Sequence, residues 1–427
     1  MSFDPTPVFA RIEARREELV ALTRDLVQIP TINPPGENYT DCARFVGDRL
    51  KRHGFDVRYV RAEGSIGDSN RYPRTNLIAR WESGRPGPCV HFNSHIDVVE
   101  VGSGWRHDPF AATVLDGRIY GRGTCDMKGG LAASIIAVES LIEQHSELIG
   151  NLEISATADE ESGGYGGVAY LCEEGWFSRS RVDHVIIPEP LNQDRVCLGH
   201  RGVWWAQIET HGRIAHGSMP FLGDSAIRHM SAVLAAFERD LFPRLKEKRT
   251  TMPVVPDGAR ESTLNINSLH GGQGKSFDGL PTSIVADSCR MIIDRRFLIE
   301  EELGEVKNEV RQLLESLRTE RPKFNYTLKD LFEVVPTITT ERDAPVVRSV
   351  AAAIEYVLGK PADFVVSPGT YDQKHIDRIG RLKDCIAYGP GILDLAHQPD
   401  EYVVIDDMLD SAKVMALATH ELLHTNR

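Results

Sequence analysis

A chain of 427 residues is longer than one hydrophobic core comfortably supports, so two domains are expected. With 41% hydrophobic and 26% charged residues the composition is that of a globular protein, and a net charge of −13 with no basic run argues against nucleic acid as a partner. Seven dispersed cysteines, never in a CxxC arrangement, fit reduced thiols rather than disulfides or a zinc finger; with no apolar leader and no run near the roughly 20 apolar residues of a membrane span, a cytoplasmic protein without a membrane partner is expected.

Residues 8 to 29 place Phe9, Ile12, Leu19, Leu22 and Leu26 at helical spacing and stop before Pro30, and Asn33-Pro34-Pro35-Gly36 reads as a loop. A second amphipathic helix runs to His53, with Gly54 at its stop. Strands are expected at Val57 to Val60, Asn76 to Trp81 and Cys89 to Asn93. The segment Met127 to His145, rich in Ala, Ile and Leu, reads as a buried helix. A strand from Leu152 to Ala156 then leads into Asp159-Glu160-Glu161-Ser162-Gly163-Gly164. A helix over Val168 to Glu174 and a strand over Val185 to Ile187 lead into Pro188-Glu189-Pro190. Helices alternating with strands predict an α/β fold with a mainly parallel, twisted sheet covered on both faces.

Around residue 201 the texture changes. Gly202 to His211 reads as a long strand, followed by a helix near Ala226 to Leu245, strands at Leu264 to Leu269 and Ser288 to Phe297, and a charged helix from Glu300 to Leu317. This β–α–β–β–α order is that of a small α+β layer with an open sheet. From about residue 338 the first texture resumes, with a helix at Ala344 to Leu358, strands at Asp363 to Val366 and Cys385 to Tyr388, and a helix from Asp406 to Leu423. The economical organisation is a discontinuous catalytic domain, residues 1–201 and 338–427, interrupted by an inserted lid or dimerisation domain, residues 202–337.

The stretch from His91 to Gly130 organises the rest. Its opening strand delivers His95 and Asp97, two apart and therefore on one side of an extended chain. It closes on Asp126, after the Gly121 and Gly123 turn and before the helical pattern. Together with Glu160, Glu161, Glu189 and His397, these polar residues all stand next to strand-then-loop signals of the same domain, where α/β proteins place their chemistry. Two imidazoles, several carboxylates and no thiol form a donor set for zinc, manganese or cobalt in a hydrolytic site rather than for structural zinc.

Ser94-His95-Ile96-Asp97-Val98-Val99 followed by Gly121-Arg122-Gly123-Thr124-Cys125-Asp126-Met127-Lys128-Gly129-Gly130 resembles the signature of a metal-dependent hydrolase family. That family contains acetylornithine deacetylase, succinyl-diaminopimelate desuccinylase, aminoacylase and glutamate carboxypeptidase. The resemblance extends along nearly the whole chain, because Glu160-Glu161, Glu189, Ala215-His216-Gly217 and His397 follow in the family's order. It implies two divalent ions per subunit, zinc foremost and cobalt or manganese as alternatives, bridged by Asp126. His95 and Glu189 would hold one ion, and Glu161 and His397 the other. Asp97 would orient His95 through its second ring nitrogen. Glu160 would be the general base, taking a proton from a metal-bridged water that attacks an amide carbonyl and passing it to the leaving nitrogen. His216 would reach the oxyanion from the inserted domain, in cis or from the partner of a homodimer formed through that domain. Asn265 and Arg295 would hold a substrate carboxylate, Arg295 alternatively pairing with a nearby acid at its strand end, and Gly369 and Thr370 would line the cleft.

The implied reaction removes an acyl group from a small N-acylated amino acid or related amine. A carboxypeptidase or dipeptidase, or a relative that hydrolyses a formamide or aryl amine, is the alternative. Aminopeptidase members tend to carry Asp where this chain has Glu189, which favours deacylase or carboxypeptidase chemistry. A silent binding protein on the same fold would have lost a base or a ligand, and all seven positions are filled. A dinucleotide loop at Gly163-Gly164-Tyr165-Gly166-Gly167 fails in register. The Gly64 to Arg74 insertion and the Trp204-Trp205 doublet map to no role, the tryptophans being expected in the core.

Overall fold

The structure is a computed structural model that describes residues 3–254, 257–272, 282–338 and 342–424. It divides into two compact units: Met1–Gly199, Ile338–Ser367 and Tyr371–Arg427 form the first, and His200–Thr337 with Pro368–Thr370 the second.

In the first unit the sheet runs, in spatial order, Asp56–Arg61, Thr75–Glu82, Asn151–Thr157, Cys89–His95, His184–Ile187, Cys385–Ala387 and Arg195–His200. The four strands from Asn151–Thr157 to Cys385–Ala387 are parallel. The pairs outside them are antiparallel. Every residue of Cys89–His95 is buried, so both faces of the central strand are covered. The helix Gly129–Gln144 packs on Ile405–His424, which in turn packs on Pro345–Leu358.

Register decides where the site lies. His95 pairs with Thr157, Phe92 with both Ile154 and Ile186, and Ile187 with Ala387. Parallel strands in that register end side by side, so the segments leaving them, with Asp97, Asp159–Glu161 and Glu189, emerge at one edge of the sheet.

Several elements differ from the sequence reading. The first helix is two, Thr6–Ala14 and Arg16–Val27, broken at Arg15, whose buried guanidinium reaches Glu139 at 2.5 Å. The helix after Asp126 begins only at Gly129, because Asp126 and Met127 have non-helical backbones with φ of −120° and −134°. A hairpin, Thr113–Leu115 and Arg118–Tyr120, joined by Tyr402–Val404, makes a separate antiparallel sheet that the apolar pattern does not announce.

The second unit is a four-stranded antiparallel sheet in the order Thr263–Gly271, Ser288–Phe297, Gly202–His211, Asn325–Val334. The helices Ala226–Ala236 and Leu303–Glu320 share a core with it around Trp204, Ile208, Met291, Val310 and Leu314. Asn325–Val334 was not expected as a strand: it is an edge strand whose apolar alternation, Tyr326 and Leu328 then Phe332 and Val334, is broken by a register shift between Asp330 and Phe332. Trp204 is fully buried with its ring nitrogen donating to Asp330 at 2.8 Å, whereas Trp205 packs beside Phe332.

Candidate metal centre

All the donors that converge lie in the first unit. His95 ends its strand with its Nε2 3.0 Å from Asp126 Oδ1. His397 Nε2 stands 3.4 Å from the other carboxylate oxygen of Asp126 and 3.1 Å from Glu161 Oε1. Asp126 thus faces one imidazole with each oxygen. Ligand atoms of His95, Asp126 and Glu161 lie within 4.8 Å of one another. Glu189 is buried and within electrostatic reach of Asp126, His95 and Glu160.

The electrostatics are those of a site built for cations. Burial pushes Glu161 up to about 7 and Glu189 well above the usual carboxylate range, with the charge of Asp126 adding to both. Burial works against the protons of His95 and His397, yet bonds to Asp126 overcome it and hold His95 well above its ordinary value and His397 up at about 11. Asp126, Glu161 and Glu189 thus crowd negative charge around the two imidazoles, a crowding that a bound cation relieves. Donor types and placement both fit divalent metal.

The supports are more informative than the donors. His95 Nδ1 donates to the backbone carbonyl of Asp97 at 3.0 Å, which leaves Nε2 as the ligand atom. The Asp97 carboxylate stands 3.6 Å from that nitrogen, a charge contact longer than a hydrogen bond. Its closer partners are the backbone N–H groups of Glu160 and Glu161, at 3.2 and 3.1 Å, and the Asn33 amide at 2.8 Å. Asp97 therefore pins the turn that carries Glu160 and Glu161, in addition to standing beside His95.

Residues that the sequence did not single out complete the frame. Glu401 is fully buried; its Oε1 accepts the backbone N–H groups of Gly123, Cys125 and Asp126 at 3.0, 2.9 and 3.1 Å. Its Oε2 accepts Arg122 Nη1 at 2.6 Å, and Arg122 also donates to the carbonyls of His397 and Gln398 at 3.2 and 3.3 Å. One buried pair thus clamps both the Asp126 turn and the His397 loop. Burial pushes Glu401 up to about 7 against the pull of Arg122. Lys374, also buried, places its Nζ 2.9 Å from Glu160 Oε1. Asp372 accepts from Asn93 at 2.9 Å and is pushed by burial up to about 7. The Gly64 to Arg74 insertion ends in Arg74, whose guanidinium meets Asp159 at 3.0 Å just before the Glu160–Glu161 turn, so its last residue buttresses the site. Asp159 itself has φ +63° and His397 φ +65°, left-handed backbones that the surrounding bonds hold in place.

The remaining candidates belong to the second unit. His216 is exposed, its Nδ1 2.7 Å from Ser218 Oγ. Asn265 is exposed on its strand and donates to Asn267 at 2.8 Å. Gly369 and Thr370 group with this unit and are half-buried. Arg295 is fully buried, and its guanidinium is occupied by Glu301 at 2.8 Å and Ser262 at 2.5 Å, the acid pairing that was the alternative to a substrate fork. All seven cysteines are free and buried, and no described helix is long and apolar enough to cross a membrane.

The chain is similar to known proteins over nearly its whole length. The model for peptidase family M20/M25/M40 matches residues 91–421. Succinyl-diaminopimelate desuccinylase of Hydrogenovibrio crunogenus is 27% identical over 398 residues, covering 92% of this chain and 95% of the relative. The di-peptidase Dug1p of Saccharomyces cerevisiae has a TM-score of 0.81 at 18% identity, covering 100% of both chains. A dinuclear metal binding peptidase of the M20 family from Bacillus subtilis has a TM-score of 0.66 at 15% identity, covering 97% of this chain and 100% of its own.

Proposed function

This chain belongs to peptidase family M20/M25/M40, and from that premise we propose that it removes the acyl group from a small N-acylated amino acid or related amine, using two divalent ions, zinc foremost, held around Asp126. The observation that carries the reading is the convergence of His95, Asp126, Glu161 and His397, with Glu160 beside them on a braced turn. The desuccinylase relative supports acyl removal, and the dinuclear peptidase supports a pair of ions.

His95 and Glu189 would hold one ion, Glu161 and His397 the other, with Asp126 between them. When bound, the ions supply Lewis-acid polarisation of the scissile carbonyl and acidify the attacking water. Glu160 takes the proton that this water loses and delivers it to the leaving nitrogen, while its Oε1 keeps the contact with Lys374. Lys374 then remains as a buried positive charge beside the base, held charged by Glu160 and Asp372 against the cost of burial. His216 would donate to the oxyanion, from the inserted unit of the same chain or of its partner in a homodimer formed through that unit. With Arg295 withdrawn, Asn265, Gly369 and Thr370 remain as the residues proposed to touch substrate.

The test is turnover against a panel of N-acetyl, N-succinyl and N-formyl amino acids and dipeptides, after stripping and reloading with zinc, cobalt or manganese. Metal-dependent release of the free amine from an acylated amino acid is expected. Cleavage confined to dipeptides overturns the acyl reading in favour of peptidase activity.

A further inference from the structure

Away from Asp126, the first unit gathers a second set of imidazoles. His145 follows the helix Gly129–Gln144, and His420 and His424 lie one turn apart on Ile405–His424. These helices pack together, which brings one nitrogen from each of the three rings within 4.8 Å of the others. His145 Nε2 and His420 Nε2 are 3.0 Å apart, and the rings of His420 and His424 stack with centroids 4.2 Å apart. We propose that His145, His420 and His424 form a metal site separate from the Asp126 centre, taking a zinc, nickel or copper ion that ties the ends of the two helices together.

Three features carry this. First, His420-Glu421-Leu422-Leu423-His424 places two imidazoles at i and i+4 on one helical face, the spacing at which two histidines of a helix share one ion. Second, His424 Nδ1 lies 2.8 Å from the carbonyl of His420, one turn back. By donating there it fixes the tautomer and leaves Nε2 with its lone pair free for a cation, the outer-shell arrangement common to ligating histidines. Third, the nitrogens of His145 and His420 already approach at a bite that needs only small ring rotations, since zinc–nitrogen bonds of about 2.0–2.1 Å put tetrahedral ligands roughly 3.4 Å apart.

Burial and the neighbouring rings hold His420 down at about 3, and burial lowers His145, where Glu147 and Arg85 act in opposite directions. Phe3 stacks on His420, with ring centroids 3.6 Å apart, and covers the group from one side. A set of imidazoles without a carboxylate selects zinc, nickel or copper over magnesium or calcium. Because the cluster lies at the end of the helix Gly129–Gln144 opposite to Asp126, the inference stands apart from the reading of the Asp126 centre.

Tag-free full-length protein and the variants His424→Ala and His145→Gln are brought to equilibrium by dialysis against buffered free zinc. Metal content, melting midpoint and hydrolytic activity are then measured. Each variant is expected to hold one equivalent of zinc less than the wild type, to keep its activity, and to lose part of the zinc-dependent rise in midpoint. Equal zinc content in the wild type and both folded variants overturns the proposal. Since His424 is exposed, its truncation removes only its stacking on His420 and its bond to the His420 carbonyl and leaves the buried core intact, so the comparison is interpretable.

Discussion

Truncating Glu401 to alanine probes the frame rather than the donors. The change removes the acceptor of three backbone N–H groups at 2.9–3.1 Å and of Arg122 at 2.6 Å, all out of water. Breaking a buried ion pair by removing one partner costs about 3–5 kcal/mol, and each amide left without an acceptor adds about 1 kcal/mol unless water enters. For a protein of this size that corresponds to a fall in melting midpoint of about 10 °C. Because Arg122 also holds the carbonyls of His397 and Gln398, the variant should release zinc as well as melt early. Calorimetry and elemental analysis of the same preparation check both. The double variant Arg122→Met/Glu401→Leu should recover part of the stability, since no buried charge is left unpaired. A Glu401→Ala protein that melts within about 2 °C of the wild type and keeps its full metal complement refutes the clamp.

Glu160→Gln should leave zinc content near normal while kcat falls by about 10²–10⁴-fold, and a variant with most of its activity rules out the base. Asp126→Ala should lose both ions by elemental analysis; retention of two equivalents contradicts the bridging position. In metal-free protein, burial holds Glu161 up at about 7, and His397 stays up at about 11, so both carry protons at about pH 6 that an entering cation must displace. Zinc affinity should therefore rise towards about pH 8 with measurable proton release, and titration calorimetry in two buffers that shows a pH-independent affinity counts against this assignment. If His216 serves a partner subunit, mixing Glu160→Gln and His216→Ala chains should restore activity, and proven heterodimers without recovery exclude sharing.

What the sequence determined by itself were the elements whose pattern is local: the buried central strand Cys89–His95, the apolar helix Gly129–Gln144, and the runs that place His95, Asp126, Glu160, Glu161, Glu189 and His397 beside strand ends. Such donors are legible because several of them stand together at strand ends within one domain, where the apolar pattern gives way to loops. Membership of the hydrolase family was readable from the same motifs, and the match over residues 91–421 agrees with it. Only the tertiary structure decided the rest. Glu401 meets the Asp126 turn across 275 residues, and Lys374 meets Glu160 across 214, distances over which no periodicity carries information. Arg295 and Arg74 look alike in sequence, yet one closes a core ion pair and the other braces the turn of Glu160 and Glu161 through Asp159. The reason is physical: hydrophobic period and turn chemistry act between neighbours along the chain, whereas a buried charge is defined by whichever partner the fold brings to it.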